Sequence, residues 1–466
     1  MPQPAAAAPF RHALFVYPYR KELKSAGFLP PIGLEFIAAA AQPYCRSMDL
    51  VDLRYEGKRT RDFLRGDTDF VGFSVNWDRD REFLEGELRS IEPGPLVVVG
   101  GRHATEDPAR WLAGFPAVSA VVRGDGEEAM DEIGRGVPLE RILGVSYRRR
   151  GEIVHNANRA LGPLRDDLWP ARRLRRQPYA VRFRGADSGL PIDMATTSRG
   201  CPFNCRFCSF SRNPWGQRRP WSARSPESVV DELATISSPL VGFTDDLFTL
   251  DMDRVARICD LIIERGIRKH FVANARIEAA RRPDVLRKME RAGFGLLALG
   301  VESAHDKTLE SMRKGFNVAE IRRHFKALRR STMMLHGYFM IGNIGETESE
   351  MERIVPFARE LGLDTISLST LRSGPYTGLE ELVAESPGYH ITPDGRIYSD
   401  ACSPRRLARI RTRLNKQFYS AGQYSRIVRK AALNGFAEFM PRILVSLPAA
   451  LAAICGYSLR KFVRRS

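Results

Sequence analysis

Three cysteines lie close together in the sequence, at Cys201, Cys205 and Cys208, within Thr-Ser-Arg-Gly-Cys-Pro-Phe-Asn-Cys-Arg-Phe-Cys. Thiolates with this Cys-x3-Cys-x2-Cys spacing can bind three corners of an iron–sulfur cube and leave the fourth iron without a protein ligand. Structural zinc sites and electron-transfer clusters instead use four protein ligands. The spacing therefore predicts a cluster whose open iron binds a further molecule, and a purely structural loop is the alternative.

The residue before the last of these cysteines is aromatic, which extends the motif to Cys-x3-Cys-x-Phe-Cys with Phe207. In this motif the chain resembles the radical S-adenosylmethionine (SAM) superfamily. The resemblance implies a [4Fe-4S] cluster that chelates SAM, and one electron from the cluster cleaves SAM to methionine and a 5′-deoxyadenosyl radical. An external one-electron reductant such as flavodoxin or ferredoxin is implied as a partner. The cofactors carry the chemistry, and the protein positions them.

The other cysteines, Cys45, Cys259, Cys402 and Cys455, lie far apart and form no second Cys-x2-Cys pair. We therefore expect neither an auxiliary cluster nor a disulfide framework. Cys402 could approach the active site, but we favour a buried, inert thiol. The chain starts without the basic residues and apolar run of a secretory signal, so we expect a cytoplasmic location.

The charge of the chain is concentrated at its C-terminal end. The 466 residues suffice for two or three domains, and their net charge of +17 first suggests a nucleic-acid partner. Residues 403–466, however, contain 14 Lys or Arg and one acid, Glu438, and so carry +13, whereas the other 402 residues carry +4. No recognised RNA-binding module accompanies this charge, so we expect no nucleic-acid partner.

Residues 11–135 alternate short apolar strands with helical stretches. The predicted strands are rich in Val, Phe and Leu and span residues 13–17, 48–53, 70–75, 95–99 and 118–122. The predicted helices span residues 32–41, 78–91 and 107–112. This alternation predicts an α/β domain with a doubly wound parallel sheet that binds ligands at the carboxyl ends of its strands.

Four segments here resemble the cobalamin-binding domain that precedes many radical SAM modules: Pro-Pro-Ile-Gly-Leu-Glu at 30–35, Asp-Phe-Val-Gly-Phe-Ser at 69–74, Val-Val-Gly-Gly-Arg-His-Ala-Thr at 98–105 and Val-Val-Arg-Gly-Asp-Gly-Glu-Glu at 121–128. The resemblance implies a bound cobalamin. Its candidate binding residues are Gly72, Ser74, Gly100, Gly101, Gly124 and Gly126. The glycines follow or end predicted strands, where the backbone turns sharply or approaches a ligand; ordinary strand-to-helix turns are the alternative.

The chain departs from the wider cobalamin pattern because it lacks the Asp-x-His-x-x-Gly motif, whose His binds cobalt from below. Residues 17–20, Tyr-Pro-Tyr-Arg, follow the first predicted strand instead. His103 follows the fourth predicted strand and is not equivalent to that ligand. In the radical SAM subclass the lower His is commonly missing, so we still expect cobalamin; a domain that keeps the fold without a corrinoid is the alternative.

From residue 192 a strand followed by a helix repeats six times, which fits the partial (β/α)6 barrel of the radical SAM superfamily. We therefore predict four parts: a cobalamin-binding-like domain at 1–135, a connector with a hairpin around Arg150-Gly151 at 136–190, the partial barrel at 191–402 and a basic helical tail at 403–466. In barrels of this type chemistry takes place at the carboxyl ends of the strands. The first barrel strand leads directly into the cysteine loop.

The resemblance also implies which residues bind SAM: Phe207, Asp245, Asp246, Arg276, Glu302, Ile341 and Gly342. The acidic pair is placed near the SAM amino group, Arg276 near the carboxylate, and Glu302 in hydrogen-bonding contact with SAM. Ile341 and Gly342 belong to the Gly-x-Ile-x-Gly element against which adenine stacks. The acidic pair replaces the common Gly-Gly-Glu, and a helix N-cap is its alternative role.

Two further segments differ from the family pattern. Asn343-Ile344 stands where Leu-Pro is usual, and Leu371-Arg-Ser-Gly-Pro-Tyr-Thr-Gly stands where a Pro-Gly-Thr element is common. In the second segment Arg372, Tyr376 and Thr377 could face the substrate, but ordinary turn chemistry explains them equally well.

The basic tail combines an amphipathic stretch with an apolar run. Leu407, Ile410, Leu414 and Phe418 recur at helical spacing between arginines, and residues 443–459 carry no charge. A spanning helix needs about 20 apolar residues, so we expect this region to lie on an anionic membrane surface. The alternative is a set of helices that pack under the barrel with a solvated basic face.

These features favour a cobalamin-dependent radical SAM enzyme that acts as a C-methyltransferase at an unactivated carbon of a lipid or terpenoid. In similar enzymes one SAM supplies the methyl group through the corrinoid, and a second generates the radical. The alternatives are a radical SAM cyclase or carbon–carbon bond-forming enzyme without methyl transfer, and a membrane-associated iron–sulfur electron carrier. The missing fourth cysteine and the ordered SAM elements argue against the carrier.

Overall fold

The computed structural model describes residues 9–20, 29–78, 80–183, 186–209, 212, 215–374 and 377–439. They divide into two compact units, one within residues 9–191 and one within residues 192–439. Each unit is built around its own sheet.

The first unit contains a seven-stranded sheet with strand order β2-β1-β3-β4-β5-β6-β7 among the described residues. Its strands are β1 (Phe10–Tyr17), β2 (Cys45–Asp52), β3 (Thr68–Ser74), β4 (Leu96–Gly100), β5 (Val118–Val122), β6 (Val145–Arg149) and β7 (Glu152–His155). Its helices are α1 (Ile32–Ala41), α2 (Arg81–Arg89), α3 (Arg102–Glu106), α4 (Pro108–Gly114) and α5 (Glu127–Gly134). β1 to β5 are parallel, and β6 and β7 join antiparallel.

Alternate residues of each strand enter different cores, as a sheet covered on both faces requires. Ala13 and Phe15 of β1 pack in one core, and Leu14 and Val16 pack in the other. This arrangement confirms the predicted doubly wound sheet. The hairpin that we assigned to the connector, β6 and β7, is continuous with the sheet through the pairing of β6 with β5.

The second sheet has the strand order β16-β15-β14-β13-β12-β9-β8. Its strands are β8 (Ala180–Phe183), β9 (Ala186–Ala195), β12 (Leu240–Phe243), β13 (His270–Ala275), β14 (Phe294–Glu302), β15 (Met334–Ile341) and β16 (Thr365–Thr370), and two short pairs, β10 (Ser198–Arg199) with β11 (Ser222–Ala223) and β17 (Tyr389–Ile391) with β18 (Ile397–Ser399), lie outside it. The six strands from β9 to β16 are parallel, and β8 is antiparallel. This confirms the predicted partial (β/α)6 barrel.

Helices follow the barrel strands: α6 (Pro226–Thr235), α7 (Met252–Glu264), α8 (Pro283–Ala292), α9 (Asp306–Ser311), α10 (Val318–Leu328), α11 (Glu348–Glu352), α12 (Ile354–Glu360), α13 (Leu379–Ala384), α14 (Pro404–Phe418) and α15 (Ala421–Leu433). Leu335 and Phe339 of β15 pack with these helices in one core. The intervening His336 and Tyr338 therefore lie on the concave face, beside Thr365 and Ser367 of β16.

The first part of the basic tail packs against the barrel. The stripe of Leu407, Ile410, Leu414 and Phe418 on α14 is at most 2% exposed and belongs to the barrel core. Because this apolar stripe is buried in the barrel core, α14 cannot insert it into a membrane, and for the stripe the alternative of packing under the barrel is the correct one. Within the described ranges no helix is long and apolar enough to cross a bilayer. The run 443–459 lies outside those ranges.

Candidate active site

The cysteine loop starts at the carboxyl end of β9, the first parallel strand of the barrel. β10 and β11 pair at the base of this loop. Cys205 is buried, and Cys201 and Cys208 are half-buried. The backbone N–H of Cys208 donates to the carbonyl of Cys205 at 3.1 Å, so these two cysteines share one tight turn.

None of the three cysteines forms a disulfide, and they are close enough to influence one another. Burial raises the pKa of the Cys201 thiol, and Cys208 and Cys205 raise it further, whereas a hydrogen bond from the Phe203 backbone and the charge of Arg276 lower it. Neighbouring thiolates that repel one another are stabilised when each binds a metal ion. The three cysteines thus supply the donor set that a [4Fe-4S] cluster with one open iron requires.

A cube holds each protein ligand at a different iron, so its ligands need not converge on one point. No group of three or more His, Cys, Asp or Glu in the described ranges has the geometry to hold a single metal ion. The three thiols of the loop would each bind a different iron of a cluster, so they do not need to converge on one ion.

Asp245 and Asp246 fix the start of the cysteine loop. Asp245 follows β12 and is fully buried. Its carboxylate accepts hydrogen bonds from the Thr197 N–H at 2.7 Å and from the hydroxyls of Thr197 and Ser198, both at 2.5 Å. Asp246 accepts from the N–H of Gly200, next to Cys201, at 2.8 Å. The acidic pair therefore binds the segment that delivers the first cysteine.

Burial raises the pKa of both carboxyls, and the hydrogen bonds from the loop oppose this effect. The predicted contact with the SAM amino group stays a prediction. The alternative N-cap role belongs to Asp251, whose side chain accepts from the Arg254 N–H at 2.9 Å.

Arg276 directly follows β13 and packs on the cysteine loop. Its guanidinium lies 3.6 Å from the ring centroid of Phe203, between the first two cysteines. Nε and Nη2 donate to Glu278, and Nη2 also donates to the Lys314 carbonyl at 2.9 Å. These bonds use Nε and Nη2, and Nη1 makes no hydrogen bond with another described residue.

Glu302 ends β14 with a left-handed backbone, at φ 69°, which is strained for a residue with a side chain. It is 7% exposed, and its Oε1 accepts from Lys314 Nζ at 2.9 Å. Phe207 packs against a cluster that contains Met312 and Met340, next to the Lys314 ammonium. The structure therefore brings Phe207, Arg276 and Glu302 together around Lys314.

Ile341 and Gly342 end β15 and are placed differently. The side chain of Ile341 is fully buried in the helix-facing core. Gly342 has φ 75°, and a methyl group there would lie 2.8 Å from Leu407. Any contact of these two residues with a ligand at this edge would therefore come from the backbone.

The turn after Gly342 contains a buried acid that we did not predict. Glu346 is 8% exposed, and its Oε2 accepts from the N–H and the Nδ2 of Asn343, both at 3.0 Å. Burial raises the pKa of Glu346 to about 7. Glu346 lies two residues after Asn343-Ile344, the segment that departs from the family pattern.

Lys314 was missed as well, because it belongs to none of the motifs in the sequence.

The loops at the carboxyl edge of the first sheet are tied together by Tyr19. Its hydroxyl accepts from the N–H groups of Asn76 and Trp77, both at 2.8 Å, and donates to the Trp77 carbonyl at 3.3 Å. Asn76 in turn donates to Ser74 at 2.9 Å and accepts from the Arg102 N–H at 3.2 Å. The loops that follow β1, β3 and β4 thus form one hydrogen-bonded surface where a doubly wound sheet binds its ligand.

The six candidate cobalamin residues have distinct environments. A methyl group on Gly72 would lie 3.1 Å from Phe15, so strand packing explains this glycine. Gly101 has φ 103°, and a methyl group there would lie 2.6 Å from the Val75 carbonyl. Gly100 has nothing nearer than 3.9 Å, and Gly124 has φ 82° and donates to Thr105. Gly126 begins α5, where a methyl group would lie 2.9 Å from Ile37.

The structure also shows the surroundings of four other residues that the sequence singled out. His103 lies between Glu106 and Asp78, with its ring 5.8 Å from that of Trp111. Cys402 is buried in the barrel core. Arg372 pairs with Asp394, and Thr377 donates to the Gly374 carbonyl in a turn. Tyr376 lies outside the described residues.

Two protein-family models match the chain. The model of the radical SAM superfamily matches residues 196–358, and that of the B12 binding domain matches residues 23–134. The first match covers the cysteine loop and the strands from β12 to β15. The second covers β2 to β5, which are the parallel strands of the first sheet other than β1.

Several curated proteins are similar over most of the chain. An uncharacterized methyltransferase of Pyrococcus horikoshii is 28% identical over 430 residues, 89% of each chain. The hopanoid C-3 methylase of Methylococcus capsulatus is 27% identical over 81% of this chain and 73% of its own. An anaerobic magnesium-protoporphyrin IX monomethyl ester cyclase of Cereibacter sphaeroides is 27% identical over 62% of this chain, which spans about half of the cyclase, 48%.

Among solved structures, the chain is similar to TsrM of Kitasatospora setae, a radical S-adenosylmethionine methyltransferase solved with cobalamin and a [4Fe-4S] cluster bound. The TM-score is 0.65 at 19% sequence identity, and the match covers 88% of this chain and 82% of TsrM. This likeness confirms the predicted fold class for both units.

Proposed function

Because the chain belongs to the radical SAM enzymes that carry a B12-binding domain, we propose that it is a C-methyltransferase acting at an unactivated carbon of a lipid or terpenoid. The cofactors of these enzymes are a [4Fe-4S] cluster, SAM and cobalamin. One observation carries the proposal. The loop with Cys201, Cys205 and Cys208 is bound through its neighbouring residues to Asp245 and Arg276, which follow the next two barrel strands, and to Lys314, which holds Glu302 at the end of the third.

When bound, the cluster supplies the electron that cleaves SAM, and cobalamin carries the methyl group. The three cysteines would hold three of the irons. Arg276 offers a cation to the SAM carboxylate, and Glu302 offers an acceptor to its ammonium or ribose hydroxyls. The two side chains lie on neighbouring strands at the carboxyl edge, so they can bind opposite charges of one molecule.

The substrate class has two supports. One is the similarity to a hopanoid C-3 methylase. The other is the basic face of α14, where Arg405, Arg409 and Lys416 lie one or two turns apart and are exposed. These three form no ion pair with another described residue, unlike Arg413, which pairs with Glu348. We include in the proposal that this face contacts the anionic inner surface of the cytoplasmic membrane, where lipid substrates reside.

Vesicle binding tests this part. The full chain should co-sediment with anionic vesicles, and the variant with Arg405→Glu, Arg409→Glu and Lys416→Glu should not, since each basic residue near such a surface contributes about 1 kcal/mol. Vesicles of neutral lipid are the control. Equal binding of the variant and the wild type would refute the proposed membrane contact but would not bear on the proposed methyl transfer.

A second candidate is a radical SAM cyclase that transfers no methyl group, and the similarity to the Cereibacter sphaeroides cyclase favours it. SAM with a deuterated methyl group separates the two. Anaerobically reconstituted protein with cobalamin, a flavodoxin-type reductant and lipid extract of the source cells should give a product that carries the labelled methyl group. A product without the labelled methyl group would contradict the proposed methyl transfer and favour cyclisation.

A further inference from the structure

Lys314 is the meeting point of the predicted SAM residues, although nothing in the sequence pattern assigned it. Its Nζ donates to Glu302 Oε1 at 2.9 Å, and both side chains are at least nine-tenths buried. Breaking such a buried pair is costly because one charge is left without a partner. Among the described residues no donor reaches Glu302 Oε2, so Lys314 holds one carboxylate oxygen and leaves the other for a ligand.

The same lysine is also bound to the cysteine loop. Its Nζ lies 5.6 Å from the ring centroid of Phe207, between the second and third cysteines. Two residues earlier, the Met312 carbonyl accepts from the N–H of Arg206 at 3.0 Å. The Lys314 carbonyl accepts from Arg276, which packs on Phe203. Both halves of the cysteine loop are therefore connected to this one residue.

The backbone around Lys314 is shaped to bring its side chain inward. Arg313 and Gly315 on either side have left-handed conformations, at φ 51° and 80°. Gly300, two residues before Glu302 on β14, leaves the space that the ion pair occupies: a methyl group there would lie 2.5 Å from Glu302 Oε1 and 2.8 Å from Lys314 Nζ. The strain at Arg313 and Glu302 is located where the pair forms.

We propose that Lys314 is a positioning residue for SAM, which holds Glu302 with Oε2 open to the ligand and holds the cysteine loop through Phe207 at the same time. This rests on the proposed SAM site. A purely structural ion pair is seen elsewhere in the barrel: Lys430 donates to the buried Asp364 at 2.8 Å, and Arg426 and the Leu335 N–H bind the same carboxylate. Asp364 has no oxygen left for a ligand, in contrast to Glu302.

The test compares Lys314→Met with Lys430→Met in the full chain, reconstituted anaerobically. Iron content, the dissociation constant of SAM by equilibrium dialysis and the electron paramagnetic resonance spectrum of the reduced cluster with and without SAM are measured. Lys314→Met should keep its iron, bind SAM at least tenfold more weakly and lose the spectral change caused by SAM, whereas Lys314→Arg should restore part of both. Lys430→Met should bind SAM as the wild type does, although it is less stable.

Two further variants keep the proposal falsifiable if Lys314→Met does not fold. Gly300→Ala retains both charges but displaces the pair, and it should also weaken SAM binding. Glu302→Gln combined with Lys314→Met should bind SAM no more weakly than the worse single variant, because both act through one contact. SAM binding within twofold of wild type in iron-replete Lys314→Met or Gly300→Ala, or additive losses in the double variant, would overturn the inference. A wild-type protein that retains iron but binds no SAM would instead refute the proposed function.

Discussion

The carboxylate of Asp245, after β12, accepts the backbone N–H of Thr197, after β9, at 2.7 Å. This bond joins the ends of two neighbouring barrel strands four residues before Cys201. With the hydroxyls of Thr197 and Ser198 bound to the same carboxylate, three hydrogen bonds hold the start of the cysteine loop. Preorganisation of this kind is what a cofactor site on a rigid scaffold requires.

Replacing Asp245 by Ala should destabilise the loop and impair cluster assembly. The change leaves one N–H and two hydroxyls without their acceptor, at a cost of about 1 to 3 kcal/mol for each group that stays buried. Asp245→Asn should restore most of the iron content, because burial already disfavours the charged form of this carboxyl. The measurement is iron bound per chain after anaerobic reconstitution, together with chemical unfolding.

The control is Asp251→Ala, which removes the N-cap of α7 and should cost about 1 kcal/mol without loss of iron. Full iron content in Asp245→Ala would show that the loop does not depend on this carboxylate.

Each of the three loop cysteines should be required for the cluster. Cys201→Ser, Cys205→Ser and Cys208→Ser should each lose most of the bound iron and the brown absorbance, because a cube with only two thiolate ligands is weakly held. Cys45→Ala, Cys259→Ala and Cys402→Ala are the matched controls, since these thiols are free and lie outside the loop. Retention of a full cluster by any of the three serine variants would remove that cysteine from the ligand set.

The sequence predicted the fold well because hydrophobic alternation records which face of a strand is buried, as the exact match of residues 118–122 to β5 illustrates. It also predicted where the carboxyl edges of the two sheets lie, because the ends of the strands follow from the same pattern. It could not show that Asp245 binds the loop backbone, nor that Lys314 turns inward to Glu302. Both depend on contacts between distant segments, which leave no periodic signal.

The basic tail shows what a sequence pattern alone could not decide. Helical spacing identified the apolar stripe of α14 correctly, but a stripe is the same whether it faces a membrane or a protein core. Only the packing of Leu407 and Leu414 in the barrel core separates the two.

The buried carboxyl of Glu346 should make stability depend on pH. Its pKa in the folded protein, about 7, lies above the ordinary value of 4.5, so its contribution is complete below pH 4.5 and is lost as the pH rises through 7. This corresponds to about 3 kcal/mol at most. The free energy of unfolding of Glu346→Gln, measured relative to that of the wild type, should therefore increase from pH 5 to pH 8.

Glu350→Gln provides the comparison. The hydrogen bond from Lys307 lowers the pKa of Glu350 to about 2, so its contribution is complete above pH 4.5 and the difference from wild type should not change between pH 5 and 8. If the difference in free energy of unfolding between Glu346→Gln and the wild type is equally independent of pH, Glu346 is not a buried acid with a raised pKa.

Two adjacent glycines, Gly100 at the end of β4 and Gly101 directly after it, allow a test that distinguishes cobalamin binding from ordinary turn chemistry. Gly101→Ala forces a methyl group against the Val75 carbonyl in a left-handed backbone, and it should displace the loop and weaken cobalamin binding at least tenfold. Gly100→Ala meets no atom within 3.8 Å and should bind cobalamin normally. Binding is measured by retention of the corrinoid spectrum after gel filtration. Equal retention of cobalamin by both variants would show that cobalamin binding does not depend on this loop.

The formation of 5′-deoxyadenosine tests the central claim most directly, because it needs the cluster and SAM but no knowledge of the substrate. Anaerobically reconstituted protein with a full complement of iron, incubated with SAM and dithionite, should release 5′-deoxyadenosine and methionine in equal amounts, and the variant with Cys201, Cys205 and Cys208 all changed to Ala should release neither. Iron-replete wild-type protein that forms no 5′-deoxyadenosine would contradict the assignment of this chain as a radical SAM enzyme.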